Sequence, residues 1–180
     1  MPKLPPVLSL ALLLSASLAL SGCGDFGKTE QFAPVCPKLA LLKDGADLTQ
    51  FSPRGHDVTD MVLDGRLVAV PADCEQGSRG HVAASLRVTM SLTLGPAAPT
   101  REMNVPYFVA VMHDGKIVDK QDYAMRASFP PNVNQITVTG DPVQMSFPAD
   151  AAHPASAYQI FVSFQLTPDQ LAMNRGRGRR

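Results

Sequence analysis

The chain has 180 residues, 45% of them hydrophobic, with 16 basic and 16 acidic residues and no Trp. Setting aside Lys3 near the start and the four arginines of the last six positions leaves 11 basic against 16 acidic residues, a balance of −5. A mildly acidic body of this kind argues against a nucleic-acid binder, and its length suits one domain with a sizeable core.

The chain opens Met1-Pro2-Lys3 and then runs from Leu4 to Leu20 without a charge, dominated by Leu, Ala and Ser. A short positive start, an apolar run and small residues after it form the pattern of a secretory signal peptide over residues 1–22. A permanent membrane span would call for a longer apolar run with charges beyond it, and the chain instead continues Ser21-Gly22-Cys23-Gly24. Leu20-Ser21-Gly22-Cys23 resembles a bacterial lipobox, with an aliphatic residue and two small ones before the Cys. The resemblance implies that Cys23 is lipidated and becomes the mature N-terminus. Several acyl chains, palmitate among them, would make that anchor stable, since each buried methylene contributes about 0.8 kcal/mol and one chain alone holds only marginally. The lipidated Cys is followed by Gly24, with Asp25 one place further, a pattern that resembles lipoproteins sorted to the outer membrane and facing the periplasm.

Residues 23–35 form the expected tether. From Gly24 to Val35 they mix Gly, charge and Pro without periodicity, as a flexible linker does. Fully extended they would reach about 40 Å. Cys36 and Cys74 are the two remaining thiols. In an exported chain such a pair is expected to be a disulfide, closing a loop of about 40 residues and contributing roughly 4 kcal/mol on the chain-entropy model. Neither C-x-x-C spacing nor a nearby His supports a redox or metal pair.

Residues 36–168 read as short strands between turn signals. Val82, Ala84, Leu86, Val88, Met90, Leu92 and Leu94 alternate with Ser85, Arg87, Thr89, Ser91 and Thr93, so one face should be buried and the other wet. Tyr158, Ile160, Val162, Phe164 and Leu166 repeat the alternation, with Phe161 as the exception. Two Asp-Gly dipeptides predict hairpins, because both central positions of a type I′ turn need positive φ. In the first, Met61–Leu63 would meet Leu67–Val70 across Asp64-Gly65. In the second, Tyr107–Met112 would meet Ile117 and Val118 across Asp114-Gly115. Further strands are expected over 122–129, 134–139 and 143–147, with Pro106, Pro130, Pro131, Pro142 and Pro148 at strand ends or edges. Seven or eight strands in this length predict an all-β fold, an immunoglobulin-like β-sandwich, with a closed barrel as the alternative.

Residues 169–180 are expected to hold a short helix and an Arg-rich tail. Thr167 is its N-cap candidate, Pro168 occupies the first helical position, and Gln170 lies three residues after the cap. Arg175, Arg177, Arg179 and Arg180, interleaved with Gly, read either as a disordered solubilising end or as an electrostatic contact with anionic lipid or cell-wall polymer.

The series Cys36-Pro37, Asp47-Leu48-Thr49-Gln50-Phe51, Asp57-Val58-Thr59-Asp60, Pro106-Tyr107-Phe108-Val109-Ala110-Val111 and Phe164-Gln165-Leu166-Thr167-Pro168-Asp169-Gln170-Leu171 resembles a group of uncharacterised bacterial envelope lipoproteins. That resemblance implies location and class. It brings no activity or binding residue.

Catalytic and cofactor motifs do not emerge from the pattern. His56, His81, His113 and His153 are scattered, without H-x-H or H-E-x-x-H. No G-x-S-x-G or S-x-x-K frames a serine. Gly77-Ser78-Arg79-Gly80 lacks the Lys and the length of a phosphate loop, and the spacing of Asp57, Asp60 and Asp64 does not fit a calcium loop. The expected function is therefore a non-enzymatic, membrane-anchored module, without cofactor, that meets another envelope protein or a cell-wall polymer. An envelope hydrolase or metal-dependent enzyme is the competing reading. It would require the scattered His residues to converge with Asp57 or Asp60 in one concave site.

Overall fold

The computed structural model describes residues 36–77, 80–150 and 153–177. Residues 33–180 belong to one compact unit. The stretches expected to be a signal peptide and a tether, up to residue 35 and with Cys23 among them, lie outside the described residues, as do Arg179 and Arg180.

Eleven strands are described: β1 (Lys38–Leu41), β2 (Asp47–Phe51), β3 (Met61–Ala69), β4 (Ala72–Gln76), β5 (His81–Leu86), β6 (Thr89–Leu94), β7 (Glu102–His113), β8 (Lys116–Ser128), β9 (Gln135–Thr139), β10 (Val143–Pro148) and β11 (Tyr158–Phe164). One helix, α1 (Pro168–Arg177), follows them. The first sheet has the order β1-β11-β7-β8, with β1 parallel to β11 and the other pairs antiparallel. The remaining strands form two short sheets, β2-β3-β6-β9 and β10-β5-β4.

These two short sheets are halves of one bent sheet. β3 runs on into β4, β5 into β6, and β9 into β10, each with a break of two or three residues. Hydrogen bonds carry the ladder across the break, from Arg87 N to Pro71 O (3.0 Å) and from Gly140 N to Val88 O (2.9 Å). Strands that bend in this way turn sandwich corners. Counted as bent strands, the eleven become eight, and the fold is the all-β sandwich that the alternation predicts. Among the described residues the sheets end on edge strands and do not close into a barrel.

Alternation holds through the bend at Arg87–Val88. Val82, Ala84, Leu86, Val88, Met90, Leu92 and Leu94 are all buried, while Arg87 is exposed. The other odd positions are half-buried, because cross-strand partners cover them. Ser85 accepts from Gln144 Nε2 at 3.0 Å, and the Thr89 and Thr139 hydroxyls are 2.9 Å apart. Leu48, Leu63, Val105, Val109, Val162 and Phe164 complete the core from the neighbouring strands.

The two Asp-Gly dipeptides behave differently. Asp114 (φ 50°) and Gly115 (φ 72°) make the expected hairpin between β7 and β8. Asp64-Gly65 makes no turn and lies in mid-strand within β3. Gly65 is there for packing. A Cβ on it would sit 3.0 Å from Leu92 Cδ2 and 3.3 Å from Phe164 Cζ. The strand expected over 122–129 is the continuation of the strand that begins at Lys116, so β8 is a single long edge strand. Pro106 lies within β7 and not at its end. It is tolerated because β11 has run out there: the last pair is Phe164 with Tyr107, and Pro106 contributes only its carbonyl, to Gln165 N at 3.0 Å.

Cys36 and Cys74 are bonded, with Cα atoms 5.9 Å apart. The bridge joins the residue leading into β1, an edge of the first sheet, to β4, an edge strand of the second. Among the described residues, no helix is long and apolar enough to cross a membrane.

Candidate functional site

The local concavity richest in chemistry forms where α1 returns onto the first sheet. The helix starts as its sequence predicts. Thr167 N donates to Gln170 Oε1 at 2.9 Å, and Gln170 N donates to Thr167 Oγ1 at 3.3 Å, a reciprocal capping box. Two turns later Asn174 anchors it. Asn174 Nδ2 donates to Asp44 O (2.9 Å) and Asp47 O (2.7 Å), on either side of the step from the 3-10 turn Lys43–Gly45 into β2.

Between the helix, that turn and the outer face of the first sheet lies a half-open cleft of about 420 Å³. Its floor holds Phe108, Ser163 and Gln165, and its walls Leu42, Leu166 and Leu171. Lys43, Lys120 and Arg175 also line it, against one acid, Asp44. Arg175 Nε is 3.3 Å from Asp44 Oδ2. Lys120 Nζ lies 4.7 Å from the Phe108 ring centroid and 2.7 Å from Asp122 Oδ1. Lys43 has no ion-pair partner among the described residues, so the cleft is cationic on an otherwise acidic body. Ser163 is almost fully buried, with its hydroxyl 2.8 Å from Phe164 O and 3.4 Å from Gly45 O. A Cβ at position 45 would overlap that hydroxyl, so the turn passes this close only as Gly.

Of the four C-terminal arginines, the two among the described residues do not form the disordered end that is one of the two readings of their sequence. Arg175 and Arg177 belong to α1, and Gly176 lies within it. Arg177 Nη1 donates to Thr49 Oγ1 at 3.1 Å. Docking through Asn174 and the two arginines outweighs the helix-weakening effect of one Gly.

Of the four histidines, His81 begins β5. His56 packs edge-on against Phe51, His113 lies beside Asp114 (3.4 Å) and the Tyr158 ring (4.5 Å), and His153 pairs with Asp150 (3.2 Å). Asp60 pairs with Arg54 at 3.4 Å, and Asp64 accepts from Thr49 at 2.9 Å. Among the described residues, no three His, Cys, Asp or Glu side chains gather at metal-binding distance. A second concavity lies around Thr100–Asn104 and Arg126. Its Arg101 is engaged in the fold, donating to Phe129 O and Pro130 O and so clamping the loop before β9.

Sequence reasoning missed the cleft, because its lining comes from five separate segments. One signal was present. Phe161, the exception to the alternation of β11, lies on the outer face of the sheet, opposite Ala110 in register. No protein-family model, curated protein or solved structure matches the chain.

Proposed function

We propose that the chain is an exported lipoprotein, lipidated at Cys23 and held at the periplasmic face of the outer membrane, whose β-sandwich is a non-enzymatic binding module for another envelope component. The observation that carries this reading is the bridge between Cys36 and Cys74. Disulfides persist in oxidising compartments such as the periplasm, and this one lies directly after the stretch read as a tether. Lipobox and bridge thus argue for the same compartment from independent chemistry. A binding role is supported by the lining of the cleft, which is apolar and cationic, with its one acid paired to Arg175 and its one hydroxyl engaged by backbone carbonyls.

Palmitate labelling of the expressed chain tests the reading. The wild type should incorporate label and lose its leader, and Cys23→Ser should do neither. A Cys23→Ser chain that still takes up palmitate would overturn it. Alkylation of Cys36 and Cys74 in the unreduced native protein would remove its main support.

A further inference from the structure

The outer face of the first sheet carries polar residues such as Asn104, Lys120, Asp122 and Gln159, as a water-facing sheet surface usually does, but an apolar strip runs through it. Along β7 from Phe108 onward the outward positions are Phe108, Ala110 and Met112, because Tyr107, Val109 and Val111 point into the core, while Glu102 and Asn104 make the start of the same face polar. Phe161 of β11 lies opposite Ala110, and Ile117 of β8 lies opposite Met112. Ala110 is only 4% exposed despite facing outward, whereas Ile117 is 62% exposed. The result is an apolar lane along β7. From Phe108 to Met112 it measures about 14 Å at strand rise, and at Phe108 it runs into the cleft beneath α1.

The lane ends among cations. Lys43 and Arg175 line the cleft, and Lys120 projects over Phe108 between cleft and lane. Asp122 pairs with Lys120 and Asp44 with Arg175, so the local positive excess is one charge, that of Lys43. An apolar strip that finishes in that excess is complementary to a ligand with an apolar tail and an anionic head. We propose that the cleft and lane bind a single-chain anionic amphiphile, its tail along β7 and its carboxylate or phosphate head met by Lys43, Lys120 and Arg175. A free fatty acid and a lysophospholipid share that chemistry. The proposal rests on the reading of the cleft as the binding site of the module, and it does not need the acyl anchor.

The test uses the mature chain from Gly24 to Arg180, purified from the periplasm without its anchor. It is titrated calorimetrically with laurate and with lauroyl lysophosphatidate, both below their micelle concentrations. Saturable binding to one site is expected for at least one of them, and which one binds identifies the source of the head group. Dodecanol and dodecyltrimethylammonium should bind about tenfold more weakly or worse, and added salt should weaken the anionic ligand. Lys43→Glu with Lys120→Glu should lower affinity by a similar factor, and Met112→Lys should do so through the lane. Both sites of change are at the surface, and an unchanged melting curve checks the fold. No binding of either anion, equal binding of the cationic amphiphile, or indifference to both variants would overturn the proposal. Such a failure in a chain that still labels with palmitate would sink the site and leave the lipoprotein reading standing. Loss of palmitate labelling with binding intact would do the reverse.

Discussion

Arg177 donates to the Thr49 hydroxyl at 3.1 Å, and that hydroxyl donates onward to Asp64 Oδ2 at 2.9 Å. The chain of bonds ties the last described turn of α1 to β2 and β3. Thr49 is almost fully buried, so its oxygen cannot simply exchange Arg177 for bulk water. Deleting residues 175–180 removes this bond and the Arg175–Asp44 pair together. It should cost about 1–2 kcal/mol, a drop of several degrees in Tm for a domain of this size. Deleting only residues 178–180 spares both contacts and should change Tm far less. Calorimetric melting of the two truncations decides the matter. Equal curves would mean that the docking contributes nothing.

Gly65 and Gly115 should respond unequally to the same substitution. Asn tolerates positive φ, and a Cβ at Gly115 meets nothing within 4 Å. Gly115→Asn should therefore cost only the modest backbone strain of a positive φ, about 1 kcal/mol or less. At Gly65 the backbone is ordinary strand and the space is taken by Leu92 and Phe164. Gly65→Asn should cost about 1–3 kcal/mol from overpacking alone, and more from burying an amide without a partner. Urea denaturation of the two variants measures the difference. A tolerated Gly65→Asn would restore the turn that its dipeptide suggests.

That pair of glycines shows where the sequence was legible and where it was not. Alternation over Val82–Leu94 is a local signal, and it suffices to locate the buried face. Capping by Thr167 and Gln170 is local too, and the helix begins where they place it. Asp64-Gly65 and Asp114-Gly115 look alike locally. What separates them is a packing demand from Leu92 and Phe164, residues distant in sequence, which no window around the dipeptide contains. The docking of Arg175 and Arg177 was hidden for a similar reason. Gly176 makes the segment read as mobile, while the acceptors that hold it, on Asp44, Asp47 and Thr49, lie more than a hundred residues earlier. The cleft was beyond reach in the same way, although Phe161 marked the sheet face that leads to it.

Leu86 and Val88 lie on either side of the bend, each at most 1% exposed. Leu86→Asp and Val88→Asp would each bury a carboxylate without a partner and should unfold the domain or destabilise it severely. Arg87→Asp should be mild, since Arg87 is exposed. Thr89→Asp should be intermediate, because it also loses the hydroxyl contact with Thr139. Circular dichroism melts should rank Leu86→Asp and Val88→Asp as most damaged, Thr89→Asp next and Arg87→Asp least. Equal damage at Leu86 and Arg87 would mean that the bend buries both faces.

Tyr107 is buried and stacks on Tyr123, with ring centroids 5.3 Å apart. Burial raises the Tyr107 phenol above its ordinary value of 10.0, and Tyr123 and Asp141 push it further. Burial also raises Tyr123, with Asp119 adding to it, and the Tyr123 hydroxyl donates to Gln121 Oε1 at 2.7 Å. In the unfolded chain both phenols ionise near 10. Below that pH neither state has lost the protons, and the contribution of the pair to stability is complete. Above it the unfolded state gives up its protons first, so each further rise in pH favours unfolding until the folded values are passed. The urea midpoint should therefore fall steeply above about pH 10. Tyr107→Phe, which cannot ionise there, should make that decline shallower while leaving the midpoint near neutral pH little changed. Tyrosinate absorbance provides the second readout. In the native protein the signals of Tyr107 and Tyr123 should lag behind free tyrosine and rise together with the loss of structure. Full ionisation of both near pH 10, with the fold intact, would show that their burial does not hold the protons on.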